Sequence, residues 1–211
     1  RGMWQSDHPA GPYSMEQHAD DLRALLDALN IQKAHIAGIS YGGEVSMAFA
    51  IKYPQRTQTL IISSSVSEID AVLHGVGSSW RAATAARDPQ LLFQVTAPFN
   101  FSATWTAANQ AATTAAAKRY SDLHFDSLLA LLDSFSSLDM TDQLSQVSAP
   151  TLVMVGELDI LKPRKYSEII STHIPGAELV VVPNAGHALC MEQPGVFNTQ
   201  VLGFVNLHPI S

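Results

Sequence analysis

Lys33-Ala34-His35-Ile36-Ala37-Gly38-Ile39-Ser40-Tyr41-Gly42-Gly43-Glu44 is the stretch that decides how the rest of this chain is read. Ala34 to Ile39 is an apolar run of strand length that stops at small residues, and a helical pattern starts from Glu44. Gly38-Ile39-Ser40-Tyr41-Gly42 fits G-x-S-x-G, a pattern that carries meaning when a strand precedes it and a helix follows it. Both conditions hold. A Ser on so sharp a turn must adopt strained backbone angles, so the flanking positions need to lack a Cβ. The turn lifts the hydroxyl out of the sheet top, where a base can reach it. The helix behind it aims backbone N–H groups at any negative charge that develops there.

Upstream of this turn, residues 1–13 are polar and rich in turn formers (Pro9, Gly11, Pro12) and read as a loop. Ser14 with Gln17 three residues on forms a capping-box pattern. Met15, Ala19, Leu22, Leu26 and Leu29 then share one helical face, and Asn30 suits a left-handed C-terminal position. Downstream, a helix over 44–53 is stopped by Pro54, and Thr59 to Ser64 is a strand too apolar to be half exposed. The order helix, strand, helix, strand predicts a parallel sheet covered on both faces.

From about Val66 to Ala149 the character changes. The stretch is rich in Ala, Ser and Thr and has no convincing strand, with helices expected over 107–119 and 125–137. Its aromatic residues, among them Trp80, Phe93, Phe99, Phe101, Trp105, Tyr120 and Phe135, are either ordinary core or the inner wall of a pocket. Strand sequence returns at Thr151 to Gly156 and again at Leu179 to Val182, with a helix over 164–173 between them. A final helix over 194–207 presents Val196, Phe197, Val201 and Phe204. The expected organisation is an α/β core in two segments, 1–65 and 149–211, interrupted by a helical cap subdomain at 66–148.

Composition narrows the function. The 211 residues are 46% hydrophobic with a net charge of −7, which suits a globular core and provides no basic footprint for nucleic acid or anionic lipid. No apolar run approaches the roughly 18 residues of a membrane span. The start has no apolar segment of signal-peptide type, and the single cysteine, Cys190, excludes an internal disulfide. A cytoplasmic setting, a small-molecule partner, and no nucleic-acid or membrane partner are the expectations.

A serine hydroxyl is a weak nucleophile at neutral pH and needs a base that is itself oriented by a carboxylate. In an open α/β sheet such groups belong just past the C-terminal ends of strands. Ser40, Asp159 and His187 each satisfy that rule, and their order along the chain is the one associated with this turn. Rivals exist. Glu157 is close to Asp159, and Asp139 or Asp142 would have to come from the cap. His35 lies within a strand and reads as structural, while His8, His18, His74, His124, His173 and His208 have no strand-end placement. Cys190 reads as a buried small hydrophobe rather than a second nucleophile. No H-E-x-x-H and no paired cysteines suggest a metal, so neither metal nor cofactor is expected.

Four blocks together resemble the α/β-hydrolase superfamily, and within it the small capped esterases and enol-lactonases. They are Arg1-Gly2-Met3-Trp4-Gln5-Ser6-Asp7, Gly38-Ile39-Ser40-Tyr41-Gly42-Gly43, Val155-Gly156-Glu157-Leu158-Asp159-Ile160-Leu161-Lys162-Pro163, and Asn184-Ala185-Gly186-His187 with Glu192-Gln193-Pro194. They span the chain except for the cap. The resemblance implies an α/β-hydrolase fold with Ser40 as nucleophile, His187 as general base and then acid, and Asp159 as its orienting acid. It makes the backbone N–H of Tyr41 one oxyanion donor.

The sequence departs from that pattern at its start, which has no Met. The resemblance implies four strands ahead of the Arg1-Gly2 block and a His-Gly loop that supplies a second oxyanion donor. Residues 1–211 hold about four strands in all, at 34–39, 59–64, 151–156 and 179–183, and the strand before Ser40 would have an open edge. The expectation is a part of a longer protein, weak or inactive alone, since one oxyanion donor is worth on the order of 100- to 1000-fold in rate. For the complete protein the expected activity is hydrolysis of a small carboxylic ester or lactone through an acyl-enzyme on Ser40. C–C bond or amide hydrolysis and perhydrolysis on the same three residues, or a non-catalytic ligand binder of this fold, are the alternatives. Ser at position 40 argues against a dehalogenase that needs Asp there.

Overall fold

Four parallel strands form one sheet in the order of their appearance along the chain, and the computed structural model describes residues 1–210. The elements are α1 (Met15–Ala28), β1 (Ala34–Ile39), α2 (Tyr41–Lys52), β2 (Thr57–Ser63), α3 (Ala71–Ala85), α4 (Pro89–Asn100), α5 (Ala103–Ala108), α6 (Gln110–Arg119) and α7 (Phe125–Ser136), then β3 (Thr151–Gly156), α8 (Arg164–His173), β4 (Glu178–Val182), α9 (Leu189–Glu192) and α10 (Pro194–Leu207). β1 stands at one edge of the sheet, paired with β2 only, and β2 and β3 are central.

Alternation along the strands explains the two layers of helices. Leu60, Ile62 and Val153 face Met47 and Ala50 of α2 and Tyr166 and Ile170 of α8. Ile61, Leu152, Met154 and Val182 face the other way, onto Phe204 of α10 with Phe197 and Val201 beside it. β2 and β3 are buried on both faces along nearly their whole length, as their apolar sequences require. α1 packs Ala19 and Leu26 against Ile36 and Phe49 at the β1 edge.

Differences from the sequence reading have local causes. Ser14 Oγ accepts the Gln17 N–H at 3.1 Å, as the cap pattern predicts. Leu29, however, is at the C-terminal cap and exposed, while His18 takes a buried place on that helix. α2 starts at Tyr41, three residues before the expected Glu44, because Ser40 itself occupies the N-cap position with no loop between strand and helix. Two helices, α3 and α4, were not anticipated. Each opens on an aspartate, Asp70 or Asp88, whose carboxylate accepts two N–H groups of the first turn. The helix expected over 107–119 is two, α5 and α6, broken at Asn109.

The helices α3 to α7 leave and rejoin the sheet layer through a narrow neck. Glu68 and Asp139 form an antiparallel bridge, the Met140 N–H donates to the Ser67 carbonyl at 2.9 Å, and the Ser67 and Thr141 hydroxyls are 2.7 Å apart. Among the described residues, no helix is long and apolar enough to cross a membrane.

Candidate active site

Ser40 sits at φ 54° and ψ −122°, outside the regions a serine ordinarily adopts. Neighbours hold it there: its N–H donates to the Ser63 carbonyl at 2.8 Å, and its carbonyl accepts the Gly43 N–H at 2.8 Å and the Ser65 hydroxyl at 3.1 Å. The glycines around it are not equivalent. A Cβ on Gly38 would lie 2.0 Å from the Gly42 carbonyl oxygen, and one on Gly43 would lie 2.6 Å from Ser65 Oγ. A Cβ on Gly42 would meet nothing within 4 Å. The crowding that demands glycine is therefore at Gly38 and Gly43, not at the second glycine of the pattern.

The three strand-end residues meet. Ser40 Oγ is 2.9 Å from His187 Nε2, and His187 Nδ1 is 2.9 Å from Asp159 Oδ2. Asp159 and His187 are both buried. The other Asp159 oxygen, Oδ1, accepts the N–H groups of Leu161 at 3.0 Å and Lys162 at 2.8 Å, which fixes the carboxylate in the turn after β3. The loops that carry acid and imidazole are laced together: Glu157 N–H donates to the Val182 carbonyl at 2.9 Å, and Leu158 N–H to the Ala185 carbonyl at 2.8 Å. Glu192 fastens the histidine loop to the start of α5, accepting from Gly186 N–H at 3.0 Å, Ser102 N–H at 3.1 Å and the Ser102 hydroxyl at 2.5 Å.

The rivals are spent elsewhere. Glu157 Oε2 accepts the Asn184 N–H at 3.1 Å, Asp139 belongs to the neck, and His35 Nδ1 pairs with Thr59 Oγ1 at 2.9 Å inside the sheet. Cys190 is half-buried rather than buried, and burial pushes its thiol up, away from the reactive thiolate. Tyr41, the first residue of α2, carries one of the first-turn N–H groups that find no acceptor within their own helix.

Ser40 opens onto a cavity of about 610 Å³ whose walls are mainly apolar. Trp80, Leu92, Tyr120, Leu128, Leu132 and Phe135 reach it from the inserted helices. Phe93 meets Tyr120 edge-on and Phe101 stacks on Trp105. Phe93, Phe101 and Trp105 are only partly buried and lie outside the main cavity, so the scattered aromatics divide between the wall of that cavity and local aromatic pairs. His18 also lines the cavity, with its Nε2 2.9 Å from the Tyr41 hydroxyl. Desolvation pulls the His18 imidazole down to about 4 and pushes the Tyr41 phenol up to about 12, so both are neutral near pH 7.

Sequence reasoning passed over two charged residues beside Ser40. Glu44 is fully buried on α2, and Lys162, also buried, sends its ammonium to Glu44 Oε1 at 2.7 Å and to Ser40 Oγ at 3.2 Å. The available signal was two opposite charges in stretches otherwise apolar enough to be core: four positions after the serine and three after the aspartate.

Known proteins share this arrangement of elements. A protein assigned as carbamate hydrolase RutD, from Azorhizobium caulinodans, is 28% identical over 206 residues, spanning 96% of this chain and 77% of its own. The 3-oxoadipate enol-lactonase 2 of Acinetobacter baylyi is 28% identical over 204 residues, spanning 95% of this chain and 74% of its own. A solved thermophilic esterase from Thermogutta terrifontis superposes with a TM-score of 0.89 at 27% identity, covering 99% of this chain and 78% of that one. Residues 1–194 match the family model described as the alpha/beta hydrolase fold, and the chain belongs to that family of hydrolases.

Proposed function

We propose that this protein is a serine hydrolase of small carboxylic esters or lactones, with Ser40 as nucleophile, His187 as general base and acid, and Asp159 as the orienting acid. The observation that carries this reading is the unbroken row from Asp159 through His187 to Ser40, each link 2.9 Å long, ending at an apolar cavity. Ser40 Oγ attacks the substrate carbonyl carbon while His187 Nε2 takes its proton. The oxyanion that forms lies toward the N–H of Tyr41 at the start of α2. Collapse re-forms the C=O bond and breaks the single bond from the acyl carbon to the alkoxy oxygen, and the proton on His187 passes to that departing oxygen, which in a lactone stays tethered to the acyl group. Water then repeats the sequence on the acyl-serine and releases the acid. On this reading residues 66–148 act as a cap over core segments 1–65 and 149–211, and its apolar wall favours an uncharged acyl group. The proposed setting is cytoplasmic, with a small molecule rather than nucleic acid or membrane as the partner.

In the full-length protein a fluorophosphonate probe is expected to label Ser40, located by peptide mass spectrometry, and p-nitrophenyl esters are expected to be turned over. S40A should lower kcat by on the order of 10⁶-fold, to background. A folded protein that resists the probe would instead be a ligand binder. The carbamate assignment of one relative favours a second reading on the same residues, C–N bond hydrolysis, so a carbamate belongs beside the esters and lactones in the substrate panel.

A further inference from the structure

We infer that Lys162 is a positioning residue for the nucleophile, held in place by Glu44 and directing the Ser40 hydroxyl toward His187. The inference rests on the serine-hydrolase reading. An ammonium has three N–H donors, and two of them are committed to protein oxygens. One goes to Glu44 Oε1 at 2.7 Å, one to Ser40 Oγ at 3.2 Å, and the remaining charge faces the ring of Phe135, 5.0 Å from its centroid. With its charge paired to Glu44 and its buried side chain against Phe135, Lys162 is a poor anchor for a substrate anion even though it lines the cavity. Its effect passes through Ser40. A hydroxyl that accepts from Lys162 keeps its own hydrogen for another partner, and His187 Nε2 is in place at 2.9 Å.

The same residue holds the other end of the row, because its backbone N–H donates to Asp159 Oδ1 at 2.8 Å. One residue thus touches both nucleophile and acid. The pair is an unfavourable choice for stability alone. Lys162 is 3% exposed and Glu44 0%. Glu44 Oε1 accepts from Lys162, the Ser65 hydroxyl and Val66 N–H, while Glu44 Oε2 has no partner among the described residues. Buried ion pairs are commonly neutral or worse than apolar residues of equal volume, and an unsatisfied carboxylate oxygen adds to that cost. What the apolar substitute could not supply is a donor against Ser40 Oγ that occupies a lone pair and leaves the hydroxyl hydrogen for His187.

The test compares E44Q/K162M with wild type in kcat, KM and the second-order rate of fluorophosphonate labelling, with melting temperature as the fold control. The expected result is a melting point near wild type, KM within about twofold, and kcat and labelling rate both lower by about 10- to 100-fold. Should the double variant fail to fold, K162M read at low temperature serves instead. The same losses are expected. Unchanged kcat and labelling rate in a folded variant would make the pair purely structural, and a rise in KM at constant kcat would make Lys162 a substrate contact. Either overturns the inference while leaving the serine-hydrolase reading intact. Absence of labelling in the wild type overturns both.

Discussion

Holding Ser40 at φ 54° costs on the order of 1 to 3 kcal/mol, which the surrounding contacts must offset. His18, two elements away, shows a different kind of residue-level tension. Its folded imidazole titrates at about 4, below the ordinary value near 6.5, because burial disfavours the cation. The unfolded chain therefore binds a proton that the folded one refuses as the pH falls from 6.5 to 4, and stability drops through that window. Replacing His18 with Asn should flatten the slope by on the order of 1 to 3 kcal/mol, read from urea midpoints at pH 7.5 and 4.5. Equal slopes would mean that His18 is protonated in the fold. The residues of the row were legible in sequence because each lies just past a strand end, a rule that needs only local patterns. Lys162 and Glu44 were not. They are 118 positions apart, and nothing local says that the turn after β3 returns to the helix after β1.

At the scale of elements, the strands were readable as short unbroken apolar runs, and α1 and α10 because their apolar residues share one helical side. α3 and α4 escaped because their Ala, Ser, Thr and Gly content blurs that period, and their aspartate caps were the stronger mark. Asp70 does more than cap α3. Beyond the N–H groups of Val72 and Leu73, its carboxylate takes the Lys165 ammonium at 2.8 Å and the Tyr166 hydroxyl at 2.7 Å, tying α3 to α8. The Leu73 N–H, the ammonium and the phenol hold this carboxyl well below the usual carboxylate range. Its contribution is present above the unfolded value near 4 and is lost only as the pH falls below that. D70A should cost about 1 kcal/mol at pH 7, and its deficit in urea midpoint should narrow once the pH drops below about 4. A deficit independent of pH would point to packing rather than charge.

On the scale of the whole molecule, the strand ends carry the row from Asp159 to Ser40, and the helices between β2 and β3 contribute about half of the cavity lining, the rest coming from the chain start, α1, α2 and the turn after β3. Ser40, Asp159 and His187 all follow strands, whereas Trp80, Leu92, Tyr120 and Leu128 come from between β2 and β3. The neck at Ser67, Glu68, Asp139 and Thr141 brings the two ends of that insertion side by side, so the core is constrained as if a single short turn joined them. Closing a loop there depends only weakly on how many residues it contains. In evolutionary terms, such a joint would separate two inheritances: a lineage could trade one wall for another by recombination while the row from Asp159 to Ser40 passes down unaltered. A chimera carrying a relative's helices between Glu68 and Asp139 is therefore expected to keep fluorophosphonate labelling at Ser40 and to acquire the donor's acyl-chain preference. A chimera that keeps the parental preference would place selectivity in the core, and the joint would then be a seam without consequence for descent.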